Sequence, residues 1–209
     1  MNNSIAQNKE SQDSISPDDA LNILMEGNQR FINNEPLQRN NTDSINSTSE
    51  GQWPFATVLA CIDSRVPVET VFDQGIGDIF TARVAGNFVN TDILGSIEYA
   101  TKVAGSKLIM ILGHTGCGAV KSACLRVQLG NITDLLSNIL PAVDAVEKDM
   151  ENDPANPDFT NRVAETNVHM AINNMLEQSP IIKQLQETGA VKIVGAMYDI
   201  ASGKVSLLD

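Results

Sequence analysis

Short apolar runs that alternate with helical patterns from Pro54 onward constrain the fold of this chain most. Three runs are apolar almost throughout and are predicted to be buried strands: 55–61, 79–85 and 107–114. Helical patterns at 67–73 and 91–104 separate them. Near-continuous apolar strands that alternate with helices are typical of a parallel sheet covered on both faces. The sequence therefore predicts an α/β fold with a central parallel sheet and helices on both of its faces.

The remainder of the chain continues this pattern to its end. A helical stripe covers 132–150, where Pro141 is expected to kink or split the helix. A second stripe covers 161–178. Residues 191–200 and 204–208 are predicted to be two strands joined by a tight turn, which is a hairpin signal.

The first fifty-one residues differ from the rest because they are polar and contain one convincing helix. Ser16 followed by Pro17 and two aspartates is typical of a helix start, and Asn33-Asn34 ends the pattern. Residues 36–51 are predicted to be a linker or a loosely held loop. We therefore divide the chain into an amino-terminal arm, 1–51, and a single catalytic α/β domain, 52–209. The apolar stripe of the arm helix needs a surface, either the body of the same chain or a second subunit.

Charge and hydropathy exclude several classes of partner. The chain carries 14 Lys and Arg against 26 Asp and Glu, a formal net charge of −12, which argues against nucleic acid and anionic membranes. Apolar runs such as Leu108–Leu112 are far shorter than the roughly 18 residues of a membrane span. The first 16 residues show no signal peptide, so a cytoplasmic location is expected, or a periplasmic one if a signal has been removed.

Two cysteines and a histidine are predicted to meet at one edge of the sheet. Cys61 ends one predicted strand, His114 ends another, and Cys117 opens the helix that follows. The carboxyl ends of neighbouring parallel strands converge on the crevice where ligands bind. Two sulfurs and an imidazole nitrogen suit Zn²⁺, and three protein ligands leave a fourth position open, as in catalytic zinc sites. Taken singly, each cysteine is more simply a small buried hydrophobe.

Two charged residues follow the first cysteine. Asp63 can fill the fourth position on the metal or accept a hydrogen bond from water bound there. The guanidinium of Arg65 can hold that carboxylate by two parallel hydrogen bonds, so Arg65 is expected to decide which role Asp63 takes.

Three further residues attract attention, but a structural role is favoured for each. Cys124 could be a fourth ligand or a redox partner, and a buried core thiol is the simpler interpretation. His169 is expected to be an exposed or capping histidine rather than a proton shuttle. Arg83 could bind an anion, and a salt bridge between elements is favoured.

Several segments of the chain resemble β-class carbonic anhydrases. They are ACIDSRVPVE (60–69), FTARVAGN (80–87), GSIEYA (95–100) and GHTGCGAVK (113–121), and the similarity extends from LNILMEGNQRF (21–31) to GAMYDIASGKV (195–205). The resemblance implies Cys61, His114 and Cys117 as ligands of one Zn²⁺ per chain, with Asp63 and Arg65 as a dyad beside it. It also implies four parallel strands with an antiparallel edge strand, and an obligate homodimer that can pair into a homotetramer.

The resemblance is greatest to the plant-like, open-site subgroup of that family. Gln52, Phe80, Tyr99 and Gly118 match its substrate-binding positions. The subgroup that closes its site usually has a tryptophan where this chain has Val58. One departure concerns the proton relay: a histidine proposed for some plant enzymes is replaced here by Val103, so the catalytic rate is expected to depend on buffer.

The function implied is a zinc lyase, a carbonic anhydrase, that hydrates CO₂ to bicarbonate through zinc-bound hydroxide. Two alternatives are a hydrolase of carbonyl sulfide or carbon disulfide on the same scaffold, and a non-catalytic protein with a structural zinc. Retention of Asp63, Arg65 and Gln52 favours catalysis, since a structural zinc needs none of them. Because two thiolates cancel the charge of Zn²⁺, activity is expected to rise toward alkaline pH.

Overall fold

The computed structural model describes residues 6–209, so residues 1–5 of the predicted arm lie outside the described residues. A five-stranded sheet organises the fold. Its strands are β1 Ala56–Ala60, β2 Ile79–Arg83, β3 Leu108–His114, β4 Lys192–Tyr198 and β5 Val205–Leu207. The spatial order is β2-β1-β3-β4-β5. The first four strands run parallel and β5 pairs antiparallel with β4, which confirms the predicted architecture.

Ten α-helices and one π-helical segment surround the sheet in the described part of the chain. They are α1 Lys9–Ser14, α2 Pro17–Ile32, α3 Asn41–Thr48, α4 Val68–Val71, α5 Thr91–Glu98, the π-helical segment Tyr99–Val103, α6 Gly118–Cys124, α7 Asn131–Ser137, α8 Leu140–Val146, α9 Pro157–Gln178 and α10 Pro180–Glu187. Pro141 splits the 132–150 stripe into α7 and α8, as predicted. The sequence pattern did not predict α10, because Ser179 ends α9 and its side chain also caps α10, whose first residue is Pro180.

Both faces of the sheet are covered by an apolar core, which explains why its central strands are apolar throughout. Alternate residues of a strand point to opposite faces. Leu59 and Ile111 face a core built with α6, α8 and α9. Val58 and Met110 face a second core that includes residues of α2 and α4. All four of these side chains are fully buried.

The arm helix α2 packs against the second of these cores. Its start is the predicted one: the Ser16 side chain accepts from the backbone N–H of Asp19, and the Asp19 carboxylate accepts from that of Ser16. The polar Asn28 interrupts the apolar stripe but is fully buried. Its side chain donates to the carbonyls of Val71 and Gly203 and accepts from the backbone N–H of Val205. Asn28 thus satisfies three backbone groups where α2 meets the sheet.

The interpretation of residues 36–51 as a linker or loosely held loop is wrong. Asn40 caps α3 within this segment by accepting from the backbone N–H of Thr42. Just before it, Arg39 donates to the carboxylate of Asp73, which also accepts from Arg30. Because these ion-paired groups are largely buried, they attach the segment to the body. The boundary at residue 51 itself stays a prediction.

The hydropathy of the helices agrees with the expectation from the sequence that the chain has no membrane-spanning segment among its described residues. Among the helices within residues 6–209, none combines the length and the hydrophobicity that a bilayer crossing requires.

Candidate metal centre

Strand register brings the three predicted ligands together. β1 and β3 are neighbours, and Ala60 lies opposite Leu112, so Cys61 and His114 leave the sheet at the same carboxyl edge. Cys117 caps the start of α6 immediately beyond. The ligand atoms of these three residues all lie within 4.8 Å of one another. The geometry confirms the convergence that the sequence predicted.

The hydrogen bonding of His114 leaves one ring nitrogen with a free lone pair. His114 is fully buried, and its Nδ1 lies 3.0 Å from the carbonyl oxygen of Thr115. Because a carbonyl can only accept, Nδ1 carries the proton and Nε2 is left with a lone pair. Among the described residues that Nε2 has no hydrogen-bond partner. A buried nitrogen without a partner beside two sulfurs is what a metal ligand requires, since metal-bound histidines bond a carbonyl through their other nitrogen.

The two sulfurs are electrostatically suited to a cation. Cys61 Sγ and Cys117 Sγ lie 3.9 Å apart and both are buried. The hydrogen bond from Cys117 lowers the pKa of the Cys61 thiol, and the same bond together with burial raises the pKa of Cys117. By themselves the sulfurs hold one negative charge readily, and the second thiolate forms when a cation compensates it.

Asp63 and Arg65 form the predicted dyad beside these ligands. Asp63 Oδ1 accepts from the backbone N–H and from Nε of Arg65, both at 2.9 Å, and Oδ2 accepts from Nη2 at 2.7 Å. Oδ2 lies 3.9 Å from Nε2 of His114. The hydrogen bond from Arg65 holds the pKa of Asp63 well below its usual range. The carboxylate is therefore ionised, and both of its oxygens are engaged by arginine.

Arg83 also contributes to the site, in a way that differs from its predicted role. A salt bridge was favoured for it, but its Nε donates to the carbonyl of Cys61 at 2.8 Å and its Nη2 to that of Asp63 at 2.7 Å. The reason is topological: Arg83 ends β2 opposite Ala60, so it faces carbonyls that have just left the β1 ladder. Arg83 thus braces the backbone that carries Cys61 and Asp63.

A backbone amide that the sequence pattern did not indicate also contacts one of the three candidate ligands. The N–H of Gly86 donates to Cys61 Sγ at 3.3 Å. Gly86 has a φ of +83°, which glycine adopts without strain. An added Cβ would lie 2.4 Å from Cδ1 of Ile139, so any other residue would have to displace that side chain as well as adopt the strained φ. The feature of the sequence that could have indicated this contact is the glycine of the FTARVAGN segment.

The predicted substrate-pocket residues are divided between two places. Phe80 and Tyr99 meet edge to face, with ring centroids 6.4 Å apart. They line an open cavity of about 580 Å³ beside the edge strand β2. Within the described chain, the residues that line this cavity include none of the three ligands, nor Asp63, Gln52 or Gly118. Gln52 and Gly118 are exposed elsewhere, on the segment before β1 and at the start of α6.

The remaining residues singled out from the sequence take structural places. Cys124 is buried in the core, where burial raises the pKa of its thiol to about 11, and it is outside the three-residue ligand group of the described chain. His169 is exposed on α9, as expected. Val103 is exposed at the end of the π-helical segment.

The fold and the site together define an α/β protein whose buried Cys-His-Cys group can hold a metal ion at the carboxyl edge of a parallel sheet. A family model described as carbonic anhydrase matches residues 56–205. The chain belongs to the β-class carbonic anhydrase family.

Individual relatives agree with this assignment over most of their length. Carbonic anhydrase 2 of Mycobacterium tuberculosis is 33% identical over 196 residues, which cover 91% of this chain and 92% of that protein. A carbonic anhydrase of Mycolicibacterium smegmatis is 34% identical over 194 residues, covering 90% and 91%. Among solved structures, a tetrameric β-carbonic anhydrase of Sordaria macrospora superposes with a TM-score of 0.73 at 26% identity, covering 80% of this chain and 87% of that one.

Proposed function

We propose that this chain catalyses the reversible hydration of CO₂ to bicarbonate and a proton, with one zinc ion held by Cys61, His114 and Cys117. The observation that carries the proposal is the Nε2 of buried His114, which has no hydrogen-bond partner in residues 6–209 and lies beside two sulfurs and an ionised Asp63. When bound, zinc supplies a Lewis acid that lowers the pKa of the water it holds. An imidazole nitrogen and two cysteine sulfurs are among the ligands that zinc prefers.

Asp63 is proposed to orient the reacting water rather than to bind the metal. Its carboxylate is acceptor-only when ionised, so it can take a hydrogen bond from water near the ligand group. Arg65 keeps it ionised and fixes its direction through the fork of hydrogen bonds. A carboxylate positioned in this way aims a lone pair of the water oxygen at carbon.

The same contacts support membership of the open-site subgroup. For Asp63 to close onto a metal, its oxygens would have to leave Arg65, where they accept three hydrogen bonds. Gln52, exposed on the segment before β1, would donate its amide to an oxygen of CO₂ or bicarbonate, and the exposed start of α6 at Gly118 would leave room for it. Val58, where the closing subgroup carries tryptophan, is consistent with this assignment.

A second copy of the chain is proposed to complete the substrate pocket. β2 is an edge strand, and Phe80 and Tyr99 lie in the cavity beside it, away from the ligands of their own chain. Pairing of two chains along this edge would cover the aromatic pair and the unpaired strand edge, which soluble proteins otherwise protect. In a homodimer of this kind, each chain would supply the metal ligands of one pocket and the aromatic wall of the other.

Metal analysis and stopped-flow CO₂ hydration on the wild type and Asp63→Asn test the function. We expect about one zinc per chain in both proteins and a rate that falls roughly 100-fold in the variant, since the water loses its orientation. A structural zinc predicts activity in neither protein. Faster turnover of carbonyl sulfide than of CO₂ would instead assign the scaffold to a sulfur substrate.

A further inference from the structure

A buried asparagine on α9 is linked to the Cys61 sulfur by hydrogen bonds through one intervening residue, Gly86. Asn167 is 2% exposed, and its side-chain Nδ2 donates to the carbonyl of Gly86 at 2.8 Å. The N–H of the same Gly86 donates to Cys61 Sγ at 3.3 Å. A continuous chain of two buried hydrogen bonds therefore joins α9 to a metal ligand.

The turn that carries Gly86 explains why it needs an external support. The backbone N–H of Asn87 donates to the carbonyl of Val84, and Gly86 has a positive φ at the third position, as in a type II turn. In such a turn the N–H and the carbonyl of the third residue point outward and find no partner within the turn. Because glycine has no Cβ, its flanking peptides rotate more freely than those of other residues. The hydrogen bond from Asn167 restrains this rotation from the carbonyl side.

We propose that Asn167 is a positioning residue of the metal centre, which holds the Gly86 N–H on the Cys61 sulfur. Hydrogen bonds to a ligating sulfur and partners outside the ligand set adjust how strongly a site holds its metal. The same helix supports the ligand loop a second time: Asn161 Oδ1 accepts from the N–H of Gly116, between His114 and Cys117, at 3.4 Å. This inference rests on the metal-binding part of the proposed function.

The chain offers a matched control for a buried asparagine that bonds backbone groups. Asn28 is as buried as Asn167 and also donates to carbonyls, but those belong to Val71 and Gly203 on the opposite core. Loss of Asn28 is expected to destabilise the fold without changing the metal ligands. A role of Asn167 in folding alone predicts that the two variants behave alike.

The decisive measurement is the zinc dissociation constant of Asn167→Ala, Asn167→Leu and Asn28→Ala, obtained by competition with a chelator. We expect zinc affinity to fall by about 10-fold or more in both Asn167 variants. Asn167→Leu keeps about the same size but has no hydrogen-bond donor. Zinc affinity in Asn28→Ala should stay within about twofold of the wild type, since distant sites act independently.

A second readout is the Gly86 amide itself. In the zinc-loaded wild type its hydrogen should exchange slowly with solvent, and in Asn167→Ala it should exchange much faster. Zinc affinity of the Asn167 variants no lower than that of Asn28→Ala would overturn the proposal. So would an unprotected Gly86 amide in the wild type, a measurement that needs no variant to fold.

Failure of this inference is distinguishable from failure of the proposed function. A zinc-loaded wild type that does not hydrate CO₂ would refute the enzyme and leave the affinity comparison intact. Normal CO₂ hydration with unchanged zinc affinity in Asn167→Ala would refute the positioning role alone.

Discussion

The metal side and the pocket side of this molecule are built in opposite ways. Cys61, His114 and Cys117 are at most 4% exposed and converge within one chain. Tyr99, which the family resemblance places in the substrate pocket, is 53% exposed beside an edge strand. The metal ligands follow central strands whose register the core determines, whereas the aromatic pair lies where the sheet ends. Under the proposed function, a single chain assembles the ligand group completely, and a second copy is needed to close the aromatic side of the pocket.

The largest expected effect comes from the metal side. Cys61→Ser replaces a thiolate with a hydroxyl that binds zinc poorly, so zinc should be lost and CO₂ hydration should fall by more than about 1,000-fold. Metal analysis and stopped-flow assays measure both quantities. Cys124→Ser is the matched control, because Cys124 is equally buried but outside the ligand group of the described residues, and it should keep its zinc. Zinc retained in Cys61→Ser would contradict the assignment of the site.

Mixed dimers test whether the two sides of a pocket come from different chains. Cys61→Ser and Phe80→Ala, each weak alone, are co-expressed with different tags and the mixed dimer is isolated. If a second copy supplies the aromatic wall, one of its two pockets combines intact ligands with an intact Phe80. About half of the wild-type rate is then expected, because one of two pockets is whole. A mixed dimer with about half the rate of Phe80→Ala, the mean of the two parents, would place both sides in one chain.

The pH profile separates the dyad from the metal. The hydrogen bond from Arg65 depresses the pKa of Asp63, so the group is ionised above its ordinary value of about 3.9 and gains its proton only at lower pH. Between about pH 6 and 9 the hydration rate should therefore rise because of the metal-bound water alone. Asp63→Asn should lower the whole curve and, because a negative charge beside the site is lost, move its midpoint toward acid pH. A midpoint that moves toward alkaline pH would contradict this reading of the dyad.

The smallest expected effect concerns the support of the pocket side. The buried Gln12 of α1 donates to the carbonyl of Pro54, just after Gln52, and to that of Ala104, just after the π-helical segment that begins with Tyr99. Gln12→Ala should reduce the free energy of unfolding by about 1–3 kcal/mol, measured by urea denaturation. We expect kcat/KM to fall only a few-fold and the zinc content to stay the same. Loss of zinc here would show that the two sides are not independent.

The residue pattern predicted the parts whose structure depends on local chemistry and burial. The capping box at Ser16 and the split at Pro141 depend on backbone groups close in sequence. The runs at β1 and β3 are apolar throughout because both faces of these strands are buried, so polar residues do not alternate with apolar ones there. Because both strands end at the same edge, Cys61 and His114 were predictable as neighbours.

Contacts between distant segments escaped the same reasoning. Residues 36–51 are held by the ion pair of Arg39 with Asp73 and by the Leu37 N–H on the same carboxylate, which no local pattern shows. Arg83 bonds carbonyls rather than a carboxylate, because its partners are set by the register of β1 and β2.

By itself the sequence determined the α/β class, the arm helix and the convergence of Cys61, His114 and Cys117, with Asp63 and Arg65 beside them. Helix caps, strand ends and a Cys-x-Asp-x-Arg segment each depend on residues that are close together in the sequence, so they can be recognised from the sequence alone. The tertiary structure alone decided what surrounds those ligands: the Gly86 amide on sulfur, Asn167 behind it, and the separation of Phe80 and Tyr99 from the metal. These arise from packing between segments as many as 81 residues apart, where position depends on register and not on neighbouring residues.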